Sequence, residues 1–138
     1  MSSDVPTATS FSMRALQAAA RLETDHIDVA VLHVPTIKPL DIEAILAAAR
    51  SDRLLVTCEN HTVVGGLAES VASTLAFAGV GKRIVPVGLP DEFLAAGALP
   101  TLHDRYGLST DSIVSRVKAE LQGSGSVRAS DAGDPPTL

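Results

Sequence analysis

Residues 53–67 read RLLVTCENHTVVGGL. Arg53–Cys58 is apolar and β-branched, too short for a helix, and reads as a strand. Glu59–Gly66 turns polar and closes on a glycine pair, the mark of a loop. From Leu67 the apolar spacing becomes helical, with Leu67, Val71, Leu75 and Ala78 on one stripe and Gly79 and Gly81 as stops. Arg83–Val87 (RIVPV) supplies a second strand, so the unit is strand, helix, strand. A crossover of this length makes the strands parallel and the connection right-handed. Pro86 lacks a ladder donor, which favours an edge or bulged position for its strand.

The pattern repeats upstream. His26–Val34 (HIDVAVLHV) is apolar on both alternating faces, as expected of a strand covered on both sides in a parallel sheet. His33 within it reads as an interior histidine. A helical stripe of Phe11, Ala15, Ala18, Ala19 and Leu22 precedes it, with Ser10 or Ser12 as cap. Pro35–Pro39 breaks the strand, Asp41 is placed to cap a helix, and Ile42, Ile45, Leu46 and Ala49 form its apolar stripe. Downstream, Gly88–Tyr106 reads as a loop with one or two short helices. The last helix has Thr110 as cap, Ile113, Val114, Val117 and Leu121 as apolar face, Lys118 in its last turn and Gly123 as stop. The expectation is a three-layer α/β domain over residues 11–122. Residues 1–10 are expected as a flexible N-terminus or a short edge strand around Val5–Ala8, and residues 123–138 as a mobile tail.

Composition narrows the function classes. The 138 residues are 46% hydrophobic and 20% charged, which suits one packed domain. Aromatic residues are 3% and the net charge is -5, which argues against base stacking and against phosphate-backbone binding. The single cysteine, Cys58, excludes an intrachain disulfide and a multi-cysteine zinc site. No apolar run reaches the roughly 18 residues of a membrane span, and the first residues lack a secretory pattern. A cytoplasmic location is the expectation.

In open α/β sheets, chemistry gathers beyond the carboxyl ends of the strands. The loops there carry Lys38, Glu59, His61, Gly65, Gly66 and Asp91. Glu59 and His61 are two apart and share a strand face, so a carboxylate could orient an imidazole. Capping of loop backbone or a role at a subunit contact is the plainer reading, because no nucleophile accompanies them. Ligation of a metal by Glu59, His61 and Asp91 has no support in their spacing. The Gly65-Gly66 turn ahead of a helix could present amides to an anion, or could simply allow close packing. Cys58 alternates with Glu59 and reads as a buried small hydrophobe.

Four ordered stretches, TIKPLD (36–41), ENHTVVGGL (59–67), GLPDEF (88–93) and YGL (106–108), resemble the C-terminal domain of transketolase. Its thiamine-diphosphate relatives, deoxyxylulose phosphate synthase and the pyruvate dehydrogenase beta subunit, share the resemblance. The likeness runs from about Ser12 to Leu121. It implies an α/β/α domain with a mostly parallel sheet of about five strands. Ala68 departs from the usual Gly-Leu-Gly, and Ala95-Ala96-Gly97 from a common Glu-Ser-Gly.

The resemblance also implies a role. In such enzymes other domains bind thiamine diphosphate and a divalent metal and carry out two-carbon ketol transfer between sugar phosphates. The C-terminal domain builds the assembly and supplies no catalytic group. The cofactor signature, Gly-Asp-Gly followed by a distant Asn, does not occur in this sequence. The expectation is therefore a non-catalytic component of a split transketolase-type enzyme. It would bind no cofactor itself, would be completed by chains carrying the cofactor domains, and could form a homodimer. The alternative is a free-standing module that binds an anionic metabolite at the strand-end edge.

Overall fold

A computed structural model describes residues 11–127. Its elements run α1 (Phe11–Thr24), α2 (Ile42–Ala49), β1 (Leu55–Thr62), α3 (Leu67–Phe77), β2 (Ile84–Leu89), α4 (Leu99–Arg105) and α5 (Thr110–Val127). β1 and β2 pair in parallel, in step from Leu55 opposite Ile84 to Cys58 opposite Val87. The register then shifts, so that Thr62 stands opposite Leu89. This is the parallel unit that residues 53–87 predict.

Strand alternation sends successive side chains to two apolar layers. On one face Val56, Cys58 and Val87 pack with Ala18 of α1, Leu108, and Ile113 of α5. On the other, Leu55 and Ile84 pack with Ile45 and Ala49 of α2 and with Val71 and Leu75 of α3. Helices thus cover both faces of the pair. Arg21–Asp111 and Lys118–Asp25 tie α1 to α5 at the surface. Such exposed pairs add at most about 1 kcal/mol each, so buried Ala18, Leu108 and Ile113 hold that layer together.

Several expectations need correction. The stretch 26–34 forms no ladder: residues 27–36 have neither helix nor strand assigned, and only two strands make the sheet among the described residues, against about five expected. An alternating apolar pattern makes a strand only where a neighbouring backbone supplies hydrogen bonds, and among the described residues none does. β1 runs four residues beyond Cys58 and takes in Glu59, Asn60, His61 and Thr62, because β2 continues opposite it to Leu89. The loop that follows is correspondingly short.

The helix caps also differ in part. Asp41 caps α2 as predicted, accepting from the Ala44 amide at 3.0 Å. At α5 the cap is Ser109, whose Oγ accepts from the Ser112 amide at 3.3 Å. Thr110 instead donates to Gln17 Oε1 at 3.1 Å. α5 passes through Gly123 to Val127, since a glycine ends a helix only where the chain turns left-handed. Lys118 accordingly lies within the helix, where it pairs with Asp25 at 2.6 Å. His33 is exposed, with Nδ1 3.5 Å from Ser12 Oγ, and is not an interior histidine. The expected edge strand at Val5–Ala8 lies outside the described residues, as does the expected tail beyond residue 127.

α1 ends in a left-handed turn. Ile27 N donates to Leu22 O and His26 N to Glu23 O, both at 3.0 Å, with φ 62° at His26. A side chain in this conformation costs about 1 kcal/mol relative to glycine. His26→Gly should therefore raise stability by up to about 1 kcal/mol, seen as a melting temperature higher by a few degrees. An unchanged or lower melting temperature would count against the turn.

Candidate functional site

The strand-end edge is organised around one carboxylate. Glu59 lies on the β1 face that looks toward α3 and is only 8% exposed. Its Oε2 accepts from the Leu67 amide at 2.8 Å and its Oε1 from the Ala68 amide at 3.1 Å. These are the first two amides of α3, which have no partner within the helix. The N-terminal end of the helix dipole adds to the attraction for a carboxylate. Glu69 reaches back to the Gly65 amide at 2.8 Å. Three of the amides at this turn, those of Gly65, Leu67 and Ala68, are therefore bonded to the chain's own side chains.

The two glycines around this carboxylate are there for space. A Cβ on Gly66 would overlap Glu59 Oε2 and stand 2.8 Å from Thr62 O. A Cβ on Gly88 would stand 2.7 Å from Val63 Cγ1 and 3.0 Å from both Glu59 Cγ and His61 O. Gly65 serves the backbone instead. Its φ of 74° makes the left-handed turn out of the loop, with open space around it.

Glu59 and His61 share a strand face but do not act as a pair. His61 is exposed and its Nδ1 lies 2.9 Å from Thr62 O, while the Glu59 oxygens point under α3. The backbone-capping reading of Glu59 is what the geometry contains. Lys38 and Asp91 are both exposed, on the loops ahead of α2 and after β2. Apolar side chains are exposed at this edge too, with Val64 on the β1–α3 loop at 47% and Phe93 after β2 fully open to solvent.

Residue 103 is the one that sequence reading missed. His103, on α4, is 3% exposed, and its Nε2 lies 3.1 Å from Asn60 Oδ1, so a proton on Nε2 is donated to the amide oxygen. The Phe11 ring packs against it at 6.2 Å between centroids. Burial, reinforced by the Arg14 guanidinium, pushes its pKa below the usual histidine value. The imidazole is thus a neutral strut between α1, β1 and α4. A histidine on a seven-residue helix carries no periodic signal that would have revealed it. Cys58 is half-buried and packs against the core, and burial followed by the neighbouring Glu59 charge raises its thiol to about 11.

Among the described residues no three His, Cys, Asp or Glu side chains converge to hold a metal ion. No helix among them is long and apolar enough to cross a membrane. The site contains packing and capping groups and an exposed, mixed edge.

The family model for the transketolase C-terminal domain matches residues 7–113. The chain belongs to this family. A transketolase family protein of Sinorhizobium fredii is 59% identical over 80% of this chain and 32% of its own length. The 1-deoxy-D-xylulose-5-phosphate synthase of Heliobacterium modesticaldum is 38% identical over 87% of this chain and 18% of its own. A transketolase C-terminal section from Methanocaldococcus jannaschii is 34% identical over 78% of this chain and 33% of its own. The transketolase C-terminal domain here therefore spans about a third or less of these relatives. Among solved structures, a split-gene transketolase described as an inactive beta4 tetramer superposes with TM-score 0.73 at 33% identity, covering 81% of this chain and 36% of that one. The α/β fold class read from the sequence is that of this transketolase neighbour.

The buried groups can be probed by substitution. Glu59→Ala strands two amides at the start of α3 and should cost about 2–4 kcal/mol by chemical denaturation, with Glu59→Gln recovering part of the loss. Equal stability of all three proteins would remove the cap from the account. Cys58 binds its proton more tightly folded than unfolded, since burial lifts its thiol from 9.0 to about 11. Its contribution is complete below pH 9 and declines as the pH rises toward 11, by a total on the order of 2 kcal/mol. Cys58→Ala should flatten that part of the stability–pH curve.

Proposed function

We propose that this chain acts as the assembly-forming C-terminal component of a split transketolase-type enzyme. Partner chains would hold thiamine diphosphate and its divalent metal, and the assembled enzyme would transfer two-carbon ketol units between sugar phosphates. The likeness to a split-gene transketolase carries the reading, and the disposition of the strand-end edge supports it. Its one buried carboxylate among the described residues, Glu59, is committed to the first amides of α3. Lys38, His61, Val64, Asp91 and Phe93 remain exposed for contact with the cofactor-binding domains or with a second copy.

A free-standing module for an anionic metabolite has less to draw on. It would need the amides of the glycine turn, and Glu59 and Glu69 already accept from Leu67, Ala68 and Gly65.

Co-expression with a chain carrying the cofactor domains, followed by size-exclusion chromatography, tests the proposal. His61→Ala and Phe93→Asp should each raise the concentration needed for assembly roughly tenfold, about 1.4 kcal/mol. Turnover at saturating partner should stay unchanged. A lost chemical step with unaltered assembly overturns the reading. So does binding of thiamine diphosphate to the purified chain alone, measured by calorimetry.

A further inference from the structure

The short helix α4 is anchored by a titratable side chain. Thr101, Asp104 and Arg105 are exposed and Leu102 is half-buried, while His103 is buried. Residues 90–98, which have neither helix nor strand assigned, ride on this helix. The Ala95 amide donates at 3.1 Å to the hydroxyl of Tyr106, the residue that ends α4. A Cβ on Gly97 would stand 3.5 Å from Leu102 Cδ2, so loop and helix are in close contact. Phe93, open to solvent at the strand-end edge, belongs to this loop. Whatever moves α4 therefore moves part of the edge.

The contacts of His103 suit its neutral form. Nε2 donates to Asn60 Oδ1 on β1, and Phe11 of α1 packs against the ring. Nδ1 is buried with no hydrogen-bond partner. A lone pair can stay there, but a proton would be a buried donor without an acceptor, on a ring made positive. The charged groups nearby do not compensate. On α1 the Arg14 guanidinium opposes a positive imidazole, and its own Nε is also buried and unpartnered. On α4 the Asp104 carboxylate favours the charge, but less than burial and Arg14 together oppose it, and Arg105 is a second exposed cation. On β1 the Glu59 oxygens are taken by the α3 amides, and His61 is exposed.

We propose that His103 is an acid-released latch, whose protonation frees α4 and residues 90–98 from the end of β1. In the released form the imidazolium is hydrated, so that form binds the proton more tightly. The closed form holds the imidazole pKa below its ordinary 6.5. Closure is therefore fully favoured above pH 6.5 and loses ground as the pH falls through the lowered value. The apolar layers on the two faces of β1 and β2 contain no histidine, so they stay packed while α4 lets go. Where a partner chain covers the edge, release would withdraw Phe93 from it; that consequence rests on the assembly role, and the latch itself does not.

Amide hydrogen exchange on the intact 138-residue chain, without any partner, tests this. Protection is expressed against a free peptide at the same pH and compared at about pH 7.5 and about pH 5. The amides of Ala95, Leu102 and Tyr106 should lose roughly tenfold or more of their protection in acid, while Val56 and Val85 keep theirs. Equal protection of the three amides at both values overturns the proposal. So does a loss shared by Val56 and Val85, which is general acid unfolding. His103→Gln keeps a donor toward Asn60 and removes the titration, so its α4 should be equally protected at both values. Acid release that persists in this variant overturns the latch. Arg14→Met acts without touching the ring: the imidazole should titrate at higher pH by NMR, and the acid-induced loss should shrink. A loss and a titration both unchanged from the parent chain also overturn it.

Discussion

The Glu59 carboxylate beneath the first turn of α3 is the constraint from which the strand-end edge takes its shape. A helix that follows a short loop must leave its first amides facing the end of the sheet, where water is partly excluded. Glu59 reaches them from the adjacent strand, so β1 and α3 are joined by two charge-assisted bonds as well as by apolar packing. Everything close to that carboxylate has to be small. Gly66 leaves room for Oε2, and Gly88 lets β2 approach the stem of the side chain. The glycine pair that resembles an anion cradle in sequence is therefore shaped by an anion the protein already contains.

This explains which parts of the fold can be read in advance. The helices are legible because each has one face against the sheet, and burial at every third or fourth position leaves a period that needs no knowledge of neighbours. The β1–α3–β2 unit is legible for the same reason, with the crossover length fixing its parallel sense. Strand extent is not, because it depends on a partner: residues 59–62 are polar enough to read as loop, yet are held in the ladder by β2 opposite. Residues 26–34 show the converse, a strand-like composition without a paired backbone among the described residues.

The functional residues divide along similar lines. Glu59 is visible as a carboxylate at a strand end, and its capping role is one of two readings the sequence allows. Deciding between them needs the position of the Leu67 and Ala68 amides, which sequence spacing does not give. His103 is invisible because its role rests on Asn60, 43 positions away, and on Phe11 at the start of α1. No local pattern encodes a contact of that separation. His33, with apolar neighbours on both sides, reads as buried but lies on a stretch that carries no ladder.

The same arrangement bears on how the edge could work in company. The two titratable groups with displaced values behind it, His103 and Cys58, are both held in their uncharged forms near neutral pH. Their burial keeps the edge rigid without adding a field of its own, so recognition there falls to the groups that reach solvent. Those are a lysine, a histidine and acidic residues interspersed with Val64 and Phe93. Mixed charges largely cancel at the distance of a Debye length, while desolvated aromatic surface gains free energy in proportion to the area covered. A partner fitted to this edge would therefore be held chiefly by shape and apolar contact. The exposed charges would set its orientation, since a misaligned lysine or aspartate is left desolvated without a counter-charge.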